Sequence, residues 1–412
     1  MDVFQSLESN VRFYSRNYPV VFNKAHGCIL EDENGAKYID FLSGAGALNY
    51  GHNHPQIKKA VIKYLEEDGI SHSLDMATVA KKELIHTLNE VILKPRGMDY
   101  KLQFCGPTGT NAVEAALKLA RKVIKRQAII SFTNAFHGVS LGSLALSGSK
   151  SKRKAAGVSL DNAIFMPYDN YFGTDFDTIQ YIDKCLSDSG SGIDIPAAFI
   201  VETIQAEGGI NSSSIEWLNK LQKLARKYDS LLIIDDIQVG CGRTGKFFSF
   251  EDCNISPDLI CLSKSFSAYG LPLAVVLIKP EHDLWDPGEH NGTFRGNNLA
   301  FISAKEGLNF WQDPKFISSI TEKIALLEEL LLKIIKDSSH SIKLKGRGMI
   351  RGLEFEDYVL AKKIADLCFA NGLIIETSGS KDQVIKFLPP INIDNEHLKR
   401  GVEILRKSIE SF

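Results

Sequence analysis

Apolar and polar positions alternate along the middle of the chain with two different periods, and this predicts an α/β fold. Segments in which apolar residues recur every three or four positions are separated by short, continuous apolar runs. Within residues 111–125, for example, Val113, Leu117 and Ala120 share one helical face. Continuous apolar runs are typical of strands buried on both faces, so the pattern favours a mainly parallel sheet covered by helices. We predict strands at 127–132, 197–201, 231–235, 258–263 and 273–278, and helices at 79–92, 111–125, 176–187 and 215–228.

The two ends of the chain carry a different pattern, which predicts a second, smaller domain. Two short apolar segments flank Asn34-Gly35, a dipeptide typical of tight turns, so residues 27–42 are predicted as a hairpin. Beyond residue 300 short strands and longer helices are mixed. We therefore predict a large domain at 56–305 and a small α+β domain formed by 1–55 and 306–412. In the C-terminal part we expect helices at 315–337, 358–370 and 394–410, and strands within 341–356 and 372–388.

Composition narrows the class of protein without identifying it. The 412 residues carry a net charge of −2, which gives no reason to expect nucleic acid or an anionic membrane as partner. No stretch is long enough to span a bilayer and no leader peptide is evident, so a cytoplasmic protein is expected. Seven cysteines without a C-x-x-C pair favour reduced thiols over disulfides or a zinc site. His52 and His54 lie in a Gly/Asn/Pro loop and are interpreted as turn residues, so no metal is expected.

Two apolar runs end at charged side chains of opposite sign. The run at 258–263 ends at Lys264, and the run at 231–234 ends at Asp235-Asp236. The carboxyl ends of parallel strands meet at one edge of a sheet, so these charges are expected at one polar site. Burial lowers the pKa of a lysine, which makes Lys264 a candidate for Schiff-base formation. The alternative is a strand-end lysine that reaches solvent.

Two further segments supply what a phosphorylated ring would need. The segment 106–110, Gly-Pro-Thr-Gly-Thr, directly precedes the predicted helix at 111–125. A helix N-terminus with free N–H groups binds anions, although a simple N-cap turn is the alternative. Phe136 follows the strand at 127–132 and could contact a planar ring. A phosphate site, an aromatic wall, a strand-end carboxylate and a buried lysine together match the requirements of pyridoxal 5′-phosphate.

One glycine-rich segment suggests a nucleotide site, and we reject that interpretation. Residues 240–246 match both G-x-G-x-x-G and G-x-x-x-x-G-K. Both motifs must open a helix, and the second needs Ser or Thr after its lysine. Phe247 follows here, so neither condition is met.

Seven stretches in a fixed order carry a family resemblance. Together they resemble the class-III (ω-) aminotransferases of the fold-type-I pyridoxal-phosphate family, over nearly the whole chain. The resemblance implies a large domain with a mainly parallel, seven-stranded type of sheet and a smaller α+β domain. The matching stretches are 40–55, TGTNAVEAALKLAR (108–121), FHG (136–138), ETIQAEGG (202–209), IIDDIQVGCGRTG (233–245), LSKSF (262–266) and GTFRGNNLA (292–300).

The resemblance also implies a role for each matching position, and a cofactor shared between two subunits. It implies an obligate homodimer, alone or as a dimer of dimers, because one phosphate ligand would come from the second subunit. His137 follows the aromatic residue as in the family, but no chemistry is assigned to it. The implied cofactor-binding residues are Lys264 (covalent link and proton transfer), Asp235 (pyridine nitrogen), Gln238 (ring hydroxyl), Phe136 (ring stacking), Thr108, Gly109 and Thr110 (phosphate), and Thr293 of the second subunit (phosphate).

Further stretches narrow the expected substrates to an amino acid and an oxo acid. GAGALNYGHN (44–53), LDMAT (74–78) and GRGMIRGLEF (346–355) resemble the members that pass an amino group from glutamate to aspartate 4-semialdehyde. Members acting on ornithine, 4-aminobutyrate or a diamine share every cofactor residue and stay open, as does a racemase or aminomutase.

The sequence departs from the family at the position that binds the substrate carboxylate. The family commonly has an arginine before a pair of prolines, whereas this chain has Lys386. Either Lys386 takes that role as a point charge, or Arg295 or Arg351 contributes. We expect Glu207 and Lys386 to form a movable pair that adapts the site to two substrates.

Overall fold

Seventeen β-strands occur in residues 2–412, the part of the chain that the computed structural model describes. They form one sheet of seven strands, two sheets of four and one of two. The strands are β1 (Phe22–His26), β2 (Ile29–Asp32), β3 (Lys37–Asp40), β4 (Lys101–Phe104), β5 (Ile129–Phe132), β6 (Ala163–Met166), β7 (Ala198–Val201), β8 (Ile204–Gln205), β9 (Asn211–Ser212), β10 (Leu231–Asp235), β11 (Leu259–Leu262), β12 (Val275–Ile278), β13 (Ile342–Arg347), β14 (Ile350–Phe355), β15 (Leu373–Ile374), β16 (Glu376–Ser378) and β17 (Val384–Phe387).

The seven-stranded sheet has the order β4-β12-β11-β10-β7-β5-β6. Strands β11, β10, β7, β5 and β6 pair in parallel, whereas β12 is antiparallel to both of its neighbours. Every residue of β5, β7, β10, β11 and β12 is buried. Burying one such aliphatic side chain stabilises the fold by roughly 1.5–3 kcal/mol. The mainly parallel sheet predicted from the apolar runs is confirmed.

Helices cover both faces of this sheet. The apolar stripe of α6, which includes Val113 and Leu117, packs with Ile233 and Val276 in one buried cluster. No helix in residues 2–412 is long and apolar enough to cross a membrane. The helices are α1 (Asp2–Leu7), α2 (Tyr14–Asn17), α3 (Ser43–Gly46), α4 (Pro55–Glu66), α5 (Val79–Thr87), α6 (Gly109–Ile124), α7 (Leu141–Ala145), α8 (Lys150–Lys154), α9 (Thr178–Ser187), α10 (Ile215–Lys227), α11 (Asn298–Asn309), α12 (Pro314–Asp337), α13 (Tyr358–Ala370) and α14 (Asn395–Glu410).

One of the two four-stranded sheets connects the two ends of the chain. This sheet has the order β1-β2-β3-β15, in which β15 pairs in parallel with β3. The other has the order β13-β14-β17-β16 and lies wholly in the C-terminal part. The N-terminal hairpin therefore shares a sheet with residues 373–374. The domain boundaries at 55/56 and 305/306 stay a prediction.

The predicted elements agree with the structure to within a few residues, except in one helix, and helices α4 and α11 were not predicted. The predicted hairpin at 27–42 is present as β2 and β3. The predicted helix at 79–92 ends as an α-helix at Thr87 and continues as a π-helix over Leu88–Leu93. The edge strands β4 and β6 were not predicted.

Candidate active site

A cavity opens where the neighbouring strands β10 and β11 end. Asp235 is the last residue of β10 and is in register with Cys261, three residues before Lys264. Both charged side chains line this cavity, which contains about 560 Å³ of space free of protein atoms. The strand-end lysine and carboxylate are thus brought together, as the apolar runs indicated.

Lys264 has an unusual backbone conformation that directs its amine into the cavity wall. Its φ is +47°, in the left-handed region, which costs a non-glycine residue roughly 1–2 kcal/mol. Its neighbours hold the turn: Ser263 donates to the carbonyl of Leu273 at 2.8 Å, and Ser265 donates to that of Gly46 at 2.8 Å. Burial lowers the pKa of Lys264 below its ordinary value. Deprotonation of Lys264 to the neutral, nucleophilic amine therefore costs less free energy than in an exposed lysine.

The Asp235 carboxylate is held by His137, to which the sequence had given no role. The imidazole Nδ1 lies 2.7 Å from Asp235 Oδ2, and the N–H of Ile237 donates to Oδ1 at 3.2 Å. His137 is itself buried, and its backbone N–H donates to Ser147 Oγ at 2.9 Å. The two residues are 98 positions apart, so only the fold brings them together. His137 therefore fixes the direction in which the carboxylate points.

The adjacent carboxylate, Asp236, points away from the cavity. It accepts the Ser249 N–H at 3.2 Å and also the Ser249 hydroxyl. Successive side chains of a strand face opposite sides, so the Asp-Asp pair divides into one cavity residue and one buried residue behind it. Burial raises the pKa of Asp236 to about 7.

Asp236→Asn is expected to remove a pH dependence of stability. Between the unfolded pKa of about 3.9 and the folded value of about 7, the folded state holds a proton that the unfolded state has lost. This contribution to stability is complete below the unfolded pKa and is lost as the pH rises through the folded pKa. The free energy of unfolding of the variant, relative to the native chain, should therefore rise by up to about 4 kcal/mol between about pH 4 and 7. Urea unfolding across this range measures it, and a constant difference would contradict the assignment.

The N-terminus of α6 forms the next wall of the cavity. Gly109 and Thr110 line it, and the first N–H groups of a helix have no intrahelical partners. The Thr110 hydroxyl lies 2.5 Å from both Ser140 Oγ and Ser143 Oγ. The predicted residues Gly109 and Thr110 are thus positioned where an anion could bind.

Two other predicted phosphate ligands lie elsewhere in this chain. The Thr108 hydroxyl donates to Asn111 Oδ1 at 2.9 Å and does not line the cavity. Thr293 is exposed, and its carbonyl lies 2.7 Å from His72 Nε2. A role for Thr293 would need a second subunit.

Phe136 and Ile237 line the cavity, and Gln238 adds a polar edge. The Gln238 amide donates to the carbonyl of Ala45 at 2.8 Å. Its Oε1 is buried without a hydrogen-bond partner in residues 2–412, as is Nε2 of His137. Buried polar atoms normally have partners, so these two atoms indicate space for a polar ligand.

Lys386 lies behind the cavity and is completely buried. Its Nζ donates to Glu207 Oε1 at 2.8 Å, and Glu207 lines the cavity. Burial alone would raise the pKa of Glu207, but the charges of Lys386 and Lys264, together with hydrogen bonds from Lys386 and Gln238, outweigh it and lower the pKa to about 2. Neither arginine considered as an alternative lines the cavity: Arg351 Nη2 donates to Glu328 Oε2 at 2.7 Å, and Arg295 donates to the carbonyl of His290.

Comparison with known proteins identifies the family. The family model for aminotransferase class-III matches residues 13–409, and the chain therefore belongs to the class-III aminotransferases.

Individual relatives match nearly the full length. The chain is 54% identical to the diaminobutyrate–2-oxoglutarate transaminase of Oceanobacillus iheyensis, over 100% of this chain and 96% of that protein. A protein of the same name from Bordetella parapertussis is 53% identical, over 99% and 95% of the two chains. Among solved structures, the ornithine aminotransferase of Toxoplasma gondii, with partial occupancy of PLP at its active site, matches with a TM-score of 0.86 and 26% identity, over 100% of this chain and 93% of that chain. The predicted fold type is thereby confirmed.

Proposed function

We propose that this protein is a pyridoxal-phosphate-dependent transaminase that moves the amino group of L-glutamate to the terminal carbon of L-aspartate 4-semialdehyde. The products would be 2-oxoglutarate and L-2,4-diaminobutyrate. The observation that carries the proposal is full-length identity of 52–54% to several diaminobutyrate–2-oxoglutarate transaminases. The cavity supplies the groups that such a reaction needs.

The cavity residues fit the cofactor. Lys264 offers a buried amine for a covalent link to its aldehyde, and Asp235 offers a carboxylate for its pyridine nitrogen. Gln238 has a buried, unpartnered Oε1 for a ring substituent. Gly109 and Thr110 lie at the helix N-terminus suited to phosphate, with Phe136 for the ring face. When bound, pyridoxal phosphate supplies an electron sink for the carbon from which a proton is removed.

Lys264 is also the proposed proton carrier of the reaction. Its lowered pKa favours a neutral Nζ, which can take the proton from the α-carbon of glutamate. Asp235, fixed by His137 at 2.7 Å, is the residue that would pair with the ring nitrogen of the cofactor. Phe136 and Ile237 keep the reacting carbon away from bulk water.

The two substrates differ beside the reacting carbon. Glutamate carries a carboxylate there, whereas the terminal carbon of the semialdehyde carries none. We propose that Glu207 neutralises Lys386 when the semialdehyde reacts and releases it when glutamate binds. The 2.8 Å contact between Glu207 and Lys386 supports this proposal, in which it would be the closed form of the pair.

The proposal also includes the oligomeric state, the cellular location and the domain boundaries of the protein. Thr293 is exposed on one chain, which suits a contact with the cavity of a second subunit in a homodimer or a dimer of dimers. A cytoplasmic location is supported by seven free cysteines, six of them buried, because such thiols persist in a reducing compartment. The division into 1–55, 56–305 and 306–412 is part of the same proposal.

The decisive assay mixes the purified protein with pyridoxal phosphate, glutamate and aspartate 4-semialdehyde. Mass spectrometry should identify 2,4-diaminobutyrate, formed in equal amount with 2-oxoglutarate. Parallel reactions with ornithine, 4-aminobutyrate and diamines as donors test the alternative, another ω-aminotransferase. Faster turnover of one of these donors would replace the proposed substrates.

Glu207→Ala is expected to slow the semialdehyde half-reaction about 10-fold more than the glutamate half-reaction, equivalent to about 1.4 kcal/mol. Without Glu207, that residue no longer neutralises the Lys386 ammonium when the semialdehyde reacts. The semialdehyde has no carboxylate beside its reacting carbon to take the place of Glu207. Single-turnover absorbance of the cofactor, followed with each substrate in turn, measures both rates. Glu207→Gln retains the shape of the side chain and separates charge from packing. Equal losses in both half-reactions would reject the switch.

A further inference from the structure

Lys386 contacts a second carboxylate, which the proposed switch does not use. Glu376 on β16 is directly opposite Lys386 on β17 in the antiparallel register. Its Oε1 lies 2.8 Å from Lys386 Nζ, the same distance as Glu207 Oε1. A completely buried ammonium is thus placed between two carboxylates from different elements.

The two carboxylates differ in how they are held. Glu207 lies in the turn between β8 and β9 and lines the cavity, whereas Glu376 lies within a strand and does not. The side chain of Glu207 is 29% exposed and that of Glu376 is 7% exposed. The Glu207 contact has hydrogen-bond geometry, whereas the Glu376 contact is an ion pair by distance. A ligand in the cavity can therefore displace only Glu207.

Displacing Glu207 removes one counter-ion from the buried ammonium of Lys386. A buried ammonium that loses its counter-ion is strongly unfavourable, and no part of Lys386 reaches water. A lysine also lacks the planar fork by which an arginine keeps its orientation when one partner leaves. Its three N–H donors allow a contact with Glu376, one with Glu207, and one more.

We propose that Glu376 is a positioning residue that acts as the reserve counter-ion of Lys386, while Glu207 is the exchangeable one. A substrate carboxylate then takes the place of Glu207 without leaving the ammonium unpaired during the exchange. The role of Glu376 in the glutamate half-reaction rests on the proposed function, whereas its ion pair with Lys386 is independent of that function.

The ionisation of the cluster agrees with this division. Burial raises the pKa of Glu376, opposed by Lys386, while the pKa of Glu207 is lowered to about 2. With Glu207 in contact, Glu207 carries the charge and Glu376 retains a proton more readily. Tyr14, Tyr18 and Lys264 are further titratable groups that interact with Glu376, and Glu202 is one that interacts with Glu207.

A double-mutant cycle on the full-length protein tests the pairing without any reaction. Thermal unfolding is measured for Glu207→Gln, Glu376→Gln and the double variant, with and without pyridoxal phosphate. Each single variant leaves one counter-ion, so the double variant should lose more than the sum of the singles, by roughly 2 °C or more. Adding Lys386→Met to the double variant should recover most of this loss, because the unpaired charge is gone. Additive losses would overturn the proposal.

A matched control comes from the same sheet. Glu354 on β14 forms an ion pair with Lys345 at 3.3 Å, and neither residue contacts Lys386. Combining Glu354→Gln with Glu207→Gln should give additive losses. Excess loss in this pair as well would show that the coupling is general to the sheet and would overturn a specific role for Glu376.

Kinetics then test the positioning role. Glu376→Gln should lower the second-order rate of the glutamate half-reaction about 10-fold and change the semialdehyde half-reaction less than about 2-fold. This is the reverse of the pattern expected for Glu207→Ala. Glu376→Asp should restore part of the glutamate rate. Equal losses in both half-reactions would show a merely structural role and overturn the proposal, whereas inactivity of the native chain with glutamate would refute the proposed function and leave the unfolding result standing.

Discussion

Replacing Lys264 with alanine is expected to reduce transamination by about 10³-fold or more, because both the covalent link and the proton carrier are lost. The native chain incubated with pyridoxal phosphate should show a visible absorbance band that borohydride bleaches into a stable covalent label. The variant should show neither the bleaching nor the label on peptide mass spectrometry. The substrate, cofactor and protein concentrations are the same in both assays, so the loss of activity reports on the side-chain nitrogen of residue 264.

Two control variants separate chemistry from charge and position. Lys264→Arg retains the positive charge but supplies no amine that can link to an aldehyde, so it should be as inactive as Lys264→Ala. Lys279 follows the end of β12, pairs with Asp258 at 3.2 Å and does not line the cavity. Lys279→Ala should retain full activity. A borohydride label that persists in Lys264→Ala would assign the link to another lysine.

Asp235→Asn is expected to reduce the rate by about 10²- to 10³-fold, because a neutral amide cannot hold a proton on the cofactor ring nitrogen. The substitution retains shape, so cofactor binding should weaken far less than turnover. Single-turnover rates with glutamate, and the affinity for pyridoxal phosphate measured by fluorescence, distinguish the two effects. A rate within about 3-fold of the native chain would remove Asp235 from the mechanism.

The neighbouring carboxylate provides the matched control. Asp236→Asn makes the same chemical change one residue further along, but its side chain faces Ser249 rather than the cavity. Because burial raises the pKa of Asp236 to about 7, the amide resembles a form that the native chain already populates. Its activity should therefore stay close to native. Comparable losses in both variants would point to damage at the end of β10 instead of lost ring chemistry.

The core of the fold was predictable because its strands are buried on both faces. The predicted strand at 231–235 has the same first and last residues as β10. The edge strand β4 escaped prediction because it is only partly buried and mixes polar and apolar residues, whereas β6 is a short, partly buried apolar run of four residues that was not singled out. Edge strands need not be apolar on both faces, which removes the signal that the prediction used.

The site was predictable where a residue contradicts its local pattern. Lys264 and Asp235 attract notice because a charge ends an apolar run, and both line the cavity. His137 and Glu376 carried no such signal. The importance of His137 depends on Asp235, 98 residues away, and that of Glu376 on a strand register that only the folded hairpin defines. Contacts between residues this far apart in the sequence leave no signal in the local periodicity of apolar residues.

The parallel pairing of β3 with β15 has a consequence for synthesis of the chain. Ile39 is in register with Leu373, and the N–H of Phe41 donates to the carbonyl of Ile374 at 2.9 Å. One edge of the N-terminal hairpin must therefore stay open on the ribosome until about nine-tenths of the protein has been translated. An exposed strand edge invites association with other nascent chains during that interval. Closure of this edge by β15 is therefore a late step in the maturation of the enzyme.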